Sequence, residues 1–324
     1  MAPSLEELMA MSPLLDEHMK LVRLLQVCSS SKAPGPPLPE AILDMFVAAV
    51  AADDADALRS LLDKHFPERT KNFPGTYIVS ELLPVVSYAA RHGKVVILKE
   101  LFKYESDDSN FRDFAADDAL DAGAKDTLLF FLEKGWDMNE IRKNKITFLA
   151  SALSESKPPD KPDRDMVLWL IRHGADPNAR SPDVDDTAMS RAVRYAPPSL
   201  ICELLDRYGG GVRRGQLLHN ALLRRPGDDL LEVMGLLLHR GAPLNTTKYA
   251  GDAGSLRHHT TSDLGTPLHV AASMGKAEAV QHLLSQGADT SICSTKGKTA
   301  LQWAENARRD NVVAILRSPD QYKL

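Results

Sequence analysis

Residues 265–289 read GTPLHVAASMGKAEAVQHLLSQGAD, and residues 297–318 read GKTALQWAENARRDNVVAILRS. Thr266 and Thr299, Leu268 and Leu301, Ala271 and Ala304, and Leu283 and Leu316 each stand 33 positions apart. A fixed period of this length marks a chain built from like units laid side by side. The interior of one unit can be read from its residue types. Thr266 suits the cap of a first helix, and Pro267 suits the first turn, where its missing N–H costs nothing. Ala271 and Ala272 let a neighbouring helix approach closely. Gly275 permits a tight turn, Leu283 and Leu284 anchor a second helix, and Gly287 ends it in a left-handed cap. Each unit is then a helical hairpin with one apolar side that needs a neighbour to cover it.

The period, the TPLHxAA motif, the mid-repeat glycine and the closing LLxxGAD resemble the ankyrin repeat. That resemblance implies an all-α solenoid. Weaker copies precede the two clear ones. They are LLHNALLRRPGDDLLEVMGLLLHRGAPLN (217–245), TAMSRAVRYAPPSLICELLDRYGG (187–210), TFLASAL (147–153) closed by LWLIRHGADPN (168–178), FAADDALDAGAKDTLLFFLEKGWD (114–137), PVVSYAARHGKVVILKELF (84–102) and DMFVAAVAADDADALRSLL (44–62). The expected plan is about eight ankyrin-like repeats over residues 41–318, an amino-terminal helical cap and Pro-rich linker over 1–40, and a short tail over 319–324.

Insertions that break the period must leave the stack as loops. Four are present: HFPERTKNFPGTY (65–77), SESKPPDKPDRD (154–165), RRPGDD (224–229) and TTKYAGDAGSLRHHTTSD (246–263). Before the first repeat, Leu15, Met19, Val22 and Leu25 fall near one face of a helix that would shield the end of the stack. LPEAILDMF (38–46) also resembles the opening of an F-box, which would imply an adaptor that recruits a second partner through the amino-terminal segment. The residues after Phe46 match a repeat better.

The 324 residues carry 39 basic and 44 acidic side chains, a net charge of −5, which disfavours a polyanionic partner and hence general nucleic-acid binding. Cys28, Cys202 and Cys293 are far apart and show no metal-ligand spacing, as expected of free thiols in a reducing compartment. No run of residues is long and apolar enough for a membrane span, and MAPSLEELMAMSPLL has acidic residues where a secretory signal is basic. The expected location is the cytoplasm or the nucleus.

The x of TPLHxAA lies, by the resemblance, near the concave side of the stack. It is Val270 and Trp303 in the last two repeats, but Asp118, Ser151, Arg191 and Asn220 in the four before them. Equivalent positions of stacked hairpins lie on the order of 10 Å apart, so these four side chains are expected to form a polar row. First-helix ends add Asp121, Arg194, Tyr195 and Arg224. The preceding turns add Asp113, Lys143, Lys145, Asp183 and Asp186, which the resemblance places as fingers beside the groove.

These residues are compatible with three functions. An interaction module would grip another protein through this row and its fingers, with Asp118, Asp121, Ser151, Asp186, Arg191, Arg194, Tyr195, Asn220 and Arg224 as contacts. An enzyme or small-molecule binder would use Asp118 as base, Arg191 and Arg194 as anion clamps and Tyr195 as acid. An adaptor would add a partner bound by the amino-terminal segment. No cofactor or metal is expected: Arg257-His258-His259 lacks further ligands, and GGGVRRG (209–215) has no strand ahead of it. His219 and His269 occupy the H of the motif, for which the resemblance implies a structural hydrogen bond.

Overall fold

A computed structural model describes residues 39–66, 82–104, 109–141, 146–154, 162–225 and 229–322. The expected cap helix at Leu14–Val27, the Pro-rich linker, and the turn residues Lys143 and Lys145 lie outside these. Among the described residues there are seventeen α-helices and no strand beyond one isolated bridge, Arg180 to Thr187.

The chain divides into two compact units, Met1–Asp137 and Met138–Leu324. In the first, α1 (Glu40–Ala51) and α2 (Ala55–His65), α3 (Leu83–Arg91) and α4 (Val95–Leu101), and α5 (Ser109–Ala122) and α6 (Lys125–Glu133) make three hairpins. The first helices α1, α3 and α5 pack in a row, and the second helices α2, α4 and α6 pack in another. Small residues explain the closeness of α3 and α5: Ala89, Ala90, Ala115, Ala116 and Ala119 are all fully buried between them. The outer row is closed by an aromatic cluster in which Phe102 lies 5.8 Å from Phe130 and 5.3 Å from Phe131, ring centre to ring centre. Glu100 joins α2 to α4 by accepting from Arg59 Nε at 3.1 Å and from Lys103 Nζ at 2.7 Å, and the Lys103 contact is the main cause of its lowered pKa.

The second unit repeats the plan with α7 (Phe148–Ala152) and α8 (Arg164–Arg172), α9 (Ala188–Tyr195) and α10 (Pro198–Arg207), α11 (Leu217–Ala221) and α12 (Leu230–His239), α14 (Pro267–Met274) and α15 (Ala277–Ser285), and α16 (Ala300–Asn306) and α17 (Asp310–Arg317). The extra helix α13 (Ala253–His258) belongs to the long insertion, for which the broken period predicts only a loop. Helix starts follow the residues that favour them: Thr147 accepts from Ala150 N, Asp163 from Asp165 N and Met166 N, and Thr266 shares a capping box with His269. Gly275 and Gly287 adopt φ of +72° and +86°, the left-handed turns expected at these positions.

Two kinds of cross-hairpin hydrogen bond set the spacing of this unit. Asn139, Asn178 and Asn245 each stand in the stretch that precedes a hairpin and grip the end of that hairpin's second helix. Asn139 accepts from Asp176 N and donates to Gly174 O, Asn178 accepts from Gly211 N and donates to Gly209 O, and Asn245 accepts from Asp289 N and donates to Gly287 O. The glycine run 209–211 is therefore shaped by its neighbours. Gly209 has φ +70°, a Cβ on Gly210 would meet Met189 Sδ at 2.8 Å, and Gly211 offers its N–H to Asn178.

The second kind joins first helices. Ser190 Oγ donates to Gly215 O, His219 Nε2 to Gly265 O and His269 Nε2 to Lys298 O, so one motif position reaches the turn of the following hairpin each time. A carbonyl can only accept, which places the proton of both imidazoles on Nε2. Nδ1 of His269 is then able to accept from Thr266, at 2.8 Å from its Oγ1.

Asn178→Ala removes both bridges between the fifth hairpin's finger and the end of α10, and should lower the unfolding free energy by roughly 1–3 kcal/mol. Urea denaturation followed by far-ultraviolet circular dichroism measures it, with an exposed-site control such as Glu232→Ala expected to change little.

Candidate functional site

One position is half-buried in every one of the eight hairpins. It is Ala48, Tyr88 and Asp118 in the first unit and Ser151, Arg191, Asn220, Val270 and Trp303 in the second. Its neighbours on the same helices are mostly buried, for example Ser190, Ala192, His219, Ala221, His269 and Ala271. Within each unit these side chains therefore form a strip along the first helices that hairpin partner and stacked neighbour only half cover. Asp118 lies in the first unit and the other polar members of the expected row in the second.

In the first unit, Arg91 ends α3 and donates through Nη1 to Asp118 Oδ1 at 3.2 Å. Its charge also suits the negative end of the helix it terminates. Asp118 Oδ2 is buried without a hydrogen-bond partner among the described residues. Tyr88 sits beside this pair in sequence register, its ring 4.2 Å from that of His92, and burial raises its hydroxyl pKa. Tyr88 is absent from the contacts expected from sequence, although the same ruler that finds Asp118 lands on it. Asp121 is exposed at the end of α5.

In the second unit, Arg191 Nη2 donates to Asp186 Oδ2 at 3.0 Å, which ties the row to the finger that precedes α9. Asn220 is turned back on its own turn, donating to Gly215 O and Gln216 O. Arg194 lies with its guanidinium carbon 5.1 Å from the ring centre of Tyr195. Ser151 is half-buried on α7. Arg224, expected on the groove, is placed elsewhere. It is 5% exposed, and its Nη1 donates to Val193 O and Ala196 O at the end of α9. A guanidinium beside the free carbonyls of a helix end satisfies groups that the helix itself cannot, so burial wins over exposure here.

The long insertion returns to this region. Lys248 N donates to Gly265 O at 2.9 Å, which closes the neck of the insertion, and Tyr249 N donates to Gln216 Oε1 at 3.0 Å. Gln216 in turn donates to Asp185 Oδ2 at 2.6 Å, and Asp185 N donates to Ser255 Oγ of α13 at 2.7 Å. Arg180 pairs with Asp252 and stands 3.8 Å from Asp185. The insertion is thus pinned to the finger of the fifth hairpin and to the turn of the sixth. Tyr249 stacks on His259 at 4.9 Å, which gives one member of the His258-His259 pair an aromatic partner, and among the described residues no cluster could hold a metal ion.

A cavity of about 290 Å³ lies between the sixth hairpin's turn and the insertion, lined by Asp185, Arg213, Arg214, Gln216, His219 and Asp252 among others. Neither Ser151 nor Arg191 lines it. The side chains named as acid, base and clamps do not surround an enclosed space there. Lys248 and Tyr249 had no signal in the sequence, because an insertion carries no period by which to place its residues; Gln216 lies within the period, at the position that Thr266 holds in the seventh hairpin.

The model of a family described as ankyrin repeats in 3 copies matches residues 218–323. The chain is 28% identical over 150 residues to a Fowlpox virus (strain NVSL) protein, FPV222, named as an ankyrin repeat protein. It is 35% identical over 97 residues to XBAT34 of Arabidopsis thaliana, named as an E3 ubiquitin-protein ligase. Those stretches are 46% and 30% of this chain but only 17% and 23% of the two relatives. No helix among the described residues is long and apolar enough to cross a membrane.

His219 is buried, and loss of hydration holds its pKa down at about 4, against about 6.5 for a free imidazole. The unfolded chain therefore binds the proton first, and stability present above pH 6.5 should fall as pH drops from 6.5 towards 4, by up to about 3 kcal/mol from this residue. Chemical denaturation at stepped pH would show the slope, and His219→Gln should flatten it.

Proposed function

Because this chain is an ankyrin-repeat protein, a kind of chain that generally serves as a protein–protein interaction module, we propose that it binds another protein along the half-buried strip of the second unit, gripping it between that strip and the finger carrying Asp186. The observation that carries this reading is the recurrence of one uncovered position in every hairpin. A solenoid can leave such a strip open without losing its core, because the core lies between layers and between neighbours. Arg191, Arg194 and Tyr195 are the residue types that dominate binding energy at protein interfaces, and here they stand on one rigid helix, α9, held by its neighbours on both sides. Presentation on packed helices lowers the ordering cost of association. In the first unit, Asp118 with Arg91 and Tyr88, and exposed Asp121, supply a further polar stretch of the same kind.

The adaptor reading finds less support. Phe46 of LPEAILDMF is fully buried, and α1, which holds most of that stretch, packs on both α2 and α3 as part of the first hairpin. The ligase description belongs to the Arabidopsis protein, and the stretch shared with it is under a quarter of that protein's length. The residues of the catalytic reading do not line the cavity of about 290 Å³.

The test uses the full chain as bait in an extract of its native cells, with subsequent titration of the purified captured protein. Arg191→Ala and Tyr195→Ala should each weaken that titrated affinity by about tenfold or more. Glu232→Ala, on the outer helix α12, should leave it unchanged. Equal affinity for all variants would overturn the reading.

A further inference from the structure

Around the end of α9 several cations stand with unused donors. Lys248 lies close enough to Arg194 and to Asp186 to feel both charges, and Arg191, on the same helix as Arg194, donates to an oxygen of that Asp186. Arg194 donates to no acceptor among the described residues, and its Nε is buried. Arg191 Nε is buried without an acceptor as well. The Lys248 ammonium has no acceptor among the described residues and lies 5.0 Å from the ring centre of Tyr249. Burial lowers the Lys248 pKa, Asp186 pulls it back up, and Arg194 adds to the depression. Half-buried cations held close together with unused donors repel one another and lose hydration together, and an oxyanion between them would relieve both costs.

We propose that Arg191, Arg194 and Lys248 form an anion-binding site at the mouth of the second unit's strip, and that it receives a carboxylate from an acidic segment of the partner protein. The inference rests on the protein-binding reading above and specifies the partner's chemistry. Guanidinium groups offer directed donors to a planar carboxylate, while the lysine contributes charge without a fixed direction. Half-buried Tyr195 stands beside Arg194, as a surface against which the methylene stem of a glutamate can lie. A carboxylate fits better than a nucleic-acid backbone. The chain's net charge is −5, and Asp183, Asp185 and Asp186 line the finger beside the site, so a nucleic-acid backbone, charged along its whole length, would be repelled where a short acidic segment is not. The insertion has a role at this site: the bond from Lys248 N to Gly265 O and the bond from Tyr249 N to Gln216 hold the lysine beside a helix of an earlier hairpin.

Fluorescence anisotropy with a short labelled peptide that carries two or three glutamates among uncharged residues, and with the full chain, tests the site; the polyglutamine control has the same length with glutamine throughout. Saturable binding is expected, with affinity falling at least about tenfold in Arg194→Gln/Lys248→Gln and again in about 0.5 M salt. A polyglutamine peptide should bind at least about tenfold more weakly. Lys248→Gln alone, on a loop and away from the helix core, provides a second variant, and thermal melts establish that each variant is folded. Absence of saturable binding by folded wild-type chain, equal affinity of the folded variants, or equal binding of polyglutamine would each overturn the proposal. Displacement of the peptide by inorganic phosphate at the same concentration of charged groups would overturn it too, marking a site for free anions. If the captured partner is lost on Arg191→Ala and Tyr195→Ala but retained by Arg194→Gln/Lys248→Gln, the strip stands and the acidic-segment proposal falls.

Discussion

The end of a short helix leaves carbonyl groups that the helix cannot satisfy, and in this chain the following hairpin supplies the missing donors. Arg224 reaches back to Val193 O and Ala196 O, Lys276 Nζ donates to Leu222 O at 2.7 Å, Arg309 Nε donates to Ser273 O at 3.1 Å, and in the first unit Thr127 Oγ1 donates to Ala90 O at 2.9 Å. Helices of five to ten residues would be marginal alone in water. Their ends are completed, and their apolar sides covered, only when the next hairpin is in place. Three of these four donors are cations, which also face the negative ends of the helix dipoles.

The same dependence shapes the candidate site. The surfaces of a first helix that touch a neighbour are taken up by packing or by these bonds, and recognition is left to the recurrent half-buried position and the helix end beside it. On α9 that strip holds two arginines and a tyrosine, while on α14 and α16 it holds Val270 and Trp303, with Trp303 edge-on to His269 at 5.2 Å and donating to Asp263 Oδ2 at 3.2 Å. The second unit's strip is thus polar over α7, α9 and α11 and apolar over α14 and α16. The contrast comes from residues that stability leaves free to vary, since a half-buried side chain contributes little to the core.

Much of the fold was legible because a stacked hairpin imposes the same demands each time. Alanines must stand where helices approach, a glycine must stand where φ turns positive, and Thr, Pro or Asp must open helices. Ala271, Gly275, Gly287, Pro267 and Thr266 all meet those demands where the pattern puts them. The half-buried register was legible too, because it keeps a constant offset from the capping threonine. The Asn139, Asn178 and Asn245 bridges carried a weak signal, an asparagine four residues after a closing glycine. Without the neighbouring hairpin such an asparagine is indistinguishable from one in any turn.

What the sequence determined by itself was the unit: its two helices, their caps, their apolar sides and the position left uncovered, all of which are local and repeat with the period. What only the tertiary structure decided was the partnership of side chains from different hairpins. Arg194 and Arg224 both stand at first-helix ends and read alike in sequence, yet one has no acceptor among the described residues and the other is buried on carbonyls of α9. Lys248 sits in an insertion outside the period, and a backbone bond to Gly265 aligns its neck with the sixth hairpin's neighbours. The reason is physical: whether a charge is satisfied depends on the atoms around it in space, and no spacing along the chain specifies where a loop of eighteen residues, 246–263, comes to rest.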